Sequence, residues 1–393
     1  MQRALIIGGG VAGLSCAHLL AQHGWEVKIW GKTSHNSPTV LLNDTTCYLL
    51  QDIWQLEESF WKNFYVLNQR QVCWGIGADV LNIPQPSVVM NGNYLVKHLE
   101  KHLLQKYHQL VHLESPPSLG ELASSDFLAD AEQQFTWVID ASGRKSVIGS
   151  HAIGSQRHHF GHRCILSQEL MLTAASEQTT SWIETVPDGW LFLAPLGENK
   201  ALLQCMVPIT TEEPEKMLTL LEQTRFIKTF VDTFLDSTHI FEAFPQISDP
   251  LCGSKWIAVG DAAFSLDPIS GDGTGYALRG AILAISVINS IASGLDKNKC
   301  LQHYTLRLRK TFSSHLQQCL KYYSNSFSSS TWKKEIALMN FLPDNLSTLN
   351  LNNCTYKLEN FHLKPSASVE TVRLSSHGGN TTRNTARLGT SKK

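Results

Sequence analysis

Two short stretches hold the residue types best suited to chemistry: glycines 8, 10 and 13, and "VGDAAFSLDPISGDGTGYALRGA" at residues 259–281. Gly8, Gly10 and Gly13 form a G-x-G-x-x-G turn between an apolar run and a segment with apolar side chains at helical spacing. Gly8 permits the tight turn, Gly10 lets a pyrophosphate approach the backbone, and Gly13 packs the helix against the strand. Val11 and Ala12 open that helix, where unpaired N–H groups face phosphate charge. The second stretch repeats the plan: a buried strand "KWIAVGD" (255–261), a turn rich in Gly, Asp and Pro, then an apolar helix over about 274–293. Two such turns suit one long cofactor with polar groups at both ends.

The elements around the first turn complete a βαβ unit. Residues 2–8 form a buried strand, 11–23 a helix stopped by Gly24, and 25–30 a second strand. A carboxylate ordinarily closes that second strand and binds the adenosine ribose. Here Gly31 stands in its place, leaving the ribose to Lys32 or to backbone. Val111, in the short strand ending the helical segment 93–114, is expected to make a further cofactor contact.

On these residues the chain resembles the FAD-dependent monooxygenases of the p-hydroxybenzoate hydroxylase and tryptophan halogenase group. The resemblance implies an α/β fold with a glutathione-reductase-type, Rossmann-like FAD domain, and FAD rather than NAD. Gly260 and Asp261 match the family's "GDA" signature, whose Asp bonds a ribityl hydroxyl. Pro268, Gly271 and Gly273 match the segment beside the isoalloxazine ring. The chemistry implied is oxygen activation as a flavin C4a-hydroperoxide, which an electron-rich ring attacks; O₂ is the co-substrate.

Other segments narrow the activity. "DASGR" (140–144) is closer to the halogenase form than to the Asp-Gly form of NADPH-using hydroxylases, so electrons are expected from a separate flavin reductase or by an unmatched route. "SWIETVPDGWLFLAPLG" (181–197) has Trp182 and Pro187 but lacks the halogenase W-x-W-x-I-P, and Lys62 in "FWKNF" is expected on a solvated helix face. "PTVLLNDTTCYLLQDIW" (38–54) with "PDGWLFLAPLG" resembles the flavoproteins that accompany quinone-cofactor amine or amino-acid oxidases. That likeness implies hydroxylation of a tryptophan in a partner quinoprotein oxidase precursor. The alternatives are a free small aromatic metabolite as substrate, a flavin-bearing maturation chaperone, or an isoprenoid-type reductase. Trp182, Trp190 and Phe192 are candidates for the pocket wall, with core packing as their other reading. No catalytic acid or base is assigned.

Composition bounds these readings. The chain has 393 residues, with 33 basic and 34 acidic side chains and a formal net charge of -1, a balance offering no field for nucleic acid. Nine scattered cysteines without a CxxC pair point to reduced thiols and a cytoplasmic location. The "RHHFGHRC" cluster (157–164) contains no carboxylate, so no metal is expected. No window is expected to reach the ~20 apolar residues that cross a bilayer. The expected organisation is a discontinuous FAD domain at 1–150 and 250–300, and a mixed or antiparallel-sheet substrate domain at 151–249. Covering helices at 301–343 and a disordered tail at 365–393 complete it.

Overall fold

The computed structural model describes residues 1–31, 38–122 except 63, 124, 126–149, 154–173, 178–209, 216–340 and 356–365 except 360. A five-stranded parallel sheet runs in the order Trp256–Ala258, Trp137–Asp140, Arg3–Ile7, Glu26–Trp30, Val111–Glu114. The strands Arg3–Ile7, Trp137–Asp140 and Trp256–Ala258 are buried apart from Arg3, as parallel strands covered on both faces must be, while the edge strand Val111–Glu114 is partly exposed. The register sets Ile7 opposite both Trp30 and Asp140. The carboxyl ends of the central strands therefore finish in one row, and the Gly8 turn leaves from the middle of it.

Across that row, Asp140 of "DASGR" acts as a buried anchor. Its Oδ1 accepts from the Ser142 N–H at 3.0 Å, and its Oδ2 from Ser146 Oγ at 3.1 Å and the Ile148 N–H at 3.0 Å. The carboxylate thus folds the turn after its own strand instead of facing a ligand.

The second sheet is mostly antiparallel, in the order Val231–Phe234, Arg163–Leu172, Lys200–Pro208, Gly189–Gly197, Thr180–Val186, Tyr65–Cys73, Leu81–Asn91, Thr39–Asn43. His239–Glu242 also pairs with Arg163–Leu172. Three of these strands come from residues 39–91, so the first 150 residues do not all belong to the cofactor domain. Helices span Asp44–Trp54 and Glu58–Trp61, and a strand begins at Tyr65. Aromatic and β-branched residues suit either state, and the long-range parallel pairing with Thr180–Val186 takes Tyr65–Cys73 into the sheet.

The long helices Gly273–Ala292, Lys297–Ser326 and Ser330–Asn340 follow. Gly273–Ala292 is, by length and composition, apolar enough to cross a membrane (mean hydropathy 1.4), contrary to the expectation that no segment qualifies. Most of it is buried within the protein, against helix Val11–Gln22 and the hairpin Tyr356–Glu359/His362–Pro365, where the Leu363 N–H reaches Ser290 Oγ at 3.3 Å. The segment 366–393 and residues 341–343 lie outside the described residues.

Candidate functional site

The first turn explains its glycines by contact. At Gly8 φ is +119°, and a Cβ would lie 2.1 Å from the Ala141 carbonyl oxygen; at Gly13 it would lie 2.0 Å from the Gly8 oxygen. At Gly10 a Cβ meets nothing within 4 Å. The protein itself therefore requires Gly8 and Gly13, whereas Gly10 keeps open a space beside the helix start. Helix Val11–Gln22 has no side-chain cap and no acid in its first turn, so the N–H groups at Val11 and Ala12 look into that space. Gly31 has its own reason: a Cβ there would approach the Gly9 nitrogen to 2.8 Å. The close packing of the two turns excludes an acidic side chain at this point.

Gly260 links this turn to the second one. Its φ is +62°, and an added Cβ would come within 2.9 Å of the Ala12 Cβ. Asp261 follows, exposed to the cleft. Surrounding protein desolvates its carboxyl and raises its pKa, opposed by Arg144, Arg157 and a hydrogen bond from Ser265. Arg157 also donates to the Asp261 carbonyl at 3.1 Å.

Beyond Asp261 a cavity of about 400 Å³ opens between this segment and the second sheet. Pro268, Gly271, Gly273 and Asp272 form one wall, and the sheet residues Ile183, Trp190, Phe192, Gln204 and Arg70 form the other. Helix Gly273–Ala292 starts on this cavity, again without a side-chain cap and without an acid in its first turn. One uncapped helix start thus opens on this cavity, and the other lies beside Gly260, which lines it.

Asp267 holds the second turn in place. It is fully buried: Oδ1 accepts from the Ile269 N–H at 3.0 Å and from the Tyr323 hydroxyl at 2.7 Å, and Oδ2 pairs with Arg163 at 2.9 Å. Arg163 also pairs with Glu335 at 2.8 Å, while Trp190 Nε1 donates to the Tyr323 hydroxyl at 3.3 Å. The His315 Nε2 accepts the Asp267 N–H at 2.9 Å, consistent with the neutral ring that burial favours. This network couples the C-terminal helices to the cavity floor and to the orientation of Trp190.

The residues expected at the site fall into three groups. Gly260, Asp261, Pro268, Gly271, Gly273, Trp190 and Phe192 line the cavity. Gly8, Gly10, Val11, Ala12 and Gly13 form the first turn and helix start, which meets that lining where Ala12 packs on Gly260. Trp182 does not. Its neighbours along the strand face the cavity side, Ile183 in the cavity wall and Ser181 towards Arg70, while Trp182 packs on the far face against Phe226 and Phe230 at ring centroid distances of 5.6 and 5.0 Å. Strand alternation makes this unavoidable. Val111 is also misplaced: it pairs with Val27 at the start of its strand, whereas Glu114 reaches the level of Trp30 beside the glycine turn. Lys32 lies outside the described residues, and Lys62 is exposed.

Sequence reasoning missed Asp267, Arg163, Tyr323 and Arg70. Only Asp267 carried a local signal, the Asp-Pro turn. Arg163 sits within the histidine cluster, which forms no metal-ligand group among the described residues.

Comparison with known proteins adds to this geometry. The family model "NAD(P)-binding Rossmann-like domain" matches residues 6–41. Among solved structures, the chain superposes on CmlS, a flavin-dependent halogenase, with TM-score 0.71 and 17% identity over 88% of this chain and 69% of that one. The chain has the flavin-dependent halogenase fold. The same fold relates it to the myxobacterial chondrochloren halogenase CndH, with TM-score 0.70 and 16% identity over 88% of this chain and 87% of that chain. The peptidyl tryptophan dihydroxylase QhpG, described as essential for tryptophylquinone cofactor biogenesis, gives TM-score 0.69 and 17% identity over 93% and 86%.

Proposed function

We propose that this chain is an FAD-dependent monooxygenase that hydroxylates an electron-rich aromatic ring. The observation that carries the reading is the open space at Gly10 beside one uncapped helix start, with a second uncapped helix start on the cavity and Gly260, which lines that cavity, packed against Ala12 of the first helix. Two uncapped helix starts linked through Gly260 fit a cofactor with a pyrophosphate in its middle and a ring system at one end. Gly10, Val11 and Ala12 would hold the pyrophosphate, Asp261 a ribityl hydroxyl, and the Pro268–Gly273 turn the edge of the ring. FAD in this position supplies oxygen activation. The chain's own part is to exclude water and orient the ring, which the apolar wall of Ile183, Trp190 and Phe192 is suited to do.

The finer reading is that the ring is a tryptophan of a partner polypeptide, a quinoprotein oxidase precursor. The likeness to QhpG across most of both chains supports it. Electrons would come from a separate reductase, in keeping with the "DASGR" turn, whose Asp140 is consumed by internal hydrogen bonds. Cys16, Cys47, Cys73, Cys205, Cys252, Cys300 and Cys319 are free thiols, which suits a reducing compartment.

The test is direct. Purified protein should carry or take up FAD, and Gly10→Asp should weaken uptake sharply. Co-expression with a candidate oxidase should add ~16 or ~32 Da to a tryptophan-containing peptide of the oxidase, one or two oxygen atoms. Maturation that survives loss of flavin points instead to the chaperone role.

A further inference from the structure

We propose that Arg70 is the substrate-recognition residue of this cavity and that it binds an anionic oxygen carried beside the aromatic ring. The inference rests on the monooxygenase reading for what the cavity holds, and on geometry for what Arg70 does.

Arg70 lies on the strand Tyr65–Cys73, opposite Ser181, on the cavity face of the sheet. Its guanidinium sits 5.4 Å from the centroid of the Phe192 ring. A long hydrogen bond runs from its Nε to Ser181 Oγ at 3.5 Å, and both terminal nitrogens lie 3.8 Å from where a Gly271 Cβ would be. Arg70 thus spans the cavity from the sheet to the turn.

The cavity has four carboxylates in its wall, and each is already met by another cation. Asp267 pairs with Arg163, Asp272 with Arg279, and Glu242 with Arg144; Asp261 faces Arg144 and Arg157. Among the described residues no carboxylate pairs with Arg70. Burial disfavours its charged form, and no neighbouring acid offsets this. A desolvated guanidinium facing a cavity with an aromatic ring beneath it is a binding site awaiting an anion. Gln204, on the same face, is the neutral polar group available for a second oxygen.

The anion is a carboxylate or phenolate within a few ångströms of the ring to be hydroxylated. It could belong to a free aromatic acid or to an acidic side chain next to a tryptophan in a polypeptide, and the experiment separates the two. Calorimetry would compare indole-3-carboxylate with its neutral amide, and acetyl-Asp-Trp-amide with acetyl-Asn-Trp-amide, on the wild-type protein, Arg70→Met and Arg70→Lys. Flavin content is read separately by absorbance.

One charged pair should bind the wild type about tenfold to a hundredfold more tightly than its neutral partner. Arg70→Met should erase the ratio and Arg70→Lys retain part of it, with melting temperatures establishing that both variants fold. The pair that discriminates names the source of the anion. The proposal is overturned if neither pair discriminates, if the preference survives in Arg70→Met, or if Arg70→Met lowers only the affinity for FAD. Protein that refuses flavin removes the cofactor reading, while calorimetry still reports on Arg70.

Discussion

The Tyr323 hydroxyl donates a 2.7 Å hydrogen bond to Asp267, joining the middle of a C-terminal helix to the turn that borders the cavity. Both groups are fully buried, and the same hydroxyl accepts from Trp190. One phenol therefore fixes a backbone turn on one side of the cavity and an aromatic wall on the other.

Tyr323→Phe keeps the ring and removes both bonds. It should lower stability by about 1–3 kcal/mol, since Asp267 loses a donor in a dry site. Chemical denaturation measures this, and a change in the Trp190 fluorescence environment should accompany it. Arg163→Met should cost more, about 3–5 kcal/mol, because it strands Asp267 and Glu335 without their shared cation.

The two glycines of the first turn should separate fold from ligand. Gly8→Ala forces a side chain into a left-handed backbone 2.1 Å from a carbonyl oxygen, and should destabilise the protein by about 3 kcal/mol or more. Gly10→Asp finds open space and an extended backbone, so its melting temperature should stay near wild type. FAD fluorescence titration should show its affinity falling about a hundredfold, because a carboxylate then occupies the phosphate position.

Trp190 and Trp182 should also part company. Trp190→Phe should alter substrate binding and turnover, because that ring lines the cavity. Trp182→Ala should lower stability by about 3–5 kcal/mol while leaving ligand affinity near wild type in the folded fraction. Equal effects of both on binding would contradict the assignment of faces.

His18 gives the pH prediction. It is buried beside Trp54, and burial first, then Lys106 and His102, lower its pKa to about 3. The unfolded chain takes up a proton near pH 6.5, whereas the folded chain resists it. Stability is therefore complete above that value and falls as pH drops from 6.5 toward 3, by up to about 1.4 kcal/mol per unit. His18→Gln should flatten this part of the stability–pH curve, as followed by denaturation at fixed temperature.

Sequence alone determined the first glycine turn, the second glycine-aspartate turn and the parallel-sheet fold. Those features are local: a glycine pattern between a strand and a helix constrains its own backbone whatever surrounds it. Tertiary structure decided which aromatics face the cleft. Trp182 and Trp190 stand on adjacent strands of similar composition, and only the pairing of those strands, together with what covers each face, sends them to opposite sides. Arg163, Asp267 and Tyr323 were likewise silent in sequence, because their partners lie far along the chain and an ion pair leaves no periodic trace. Arg70 acquires its meaning only when every carboxylate around it is seen to be already engaged.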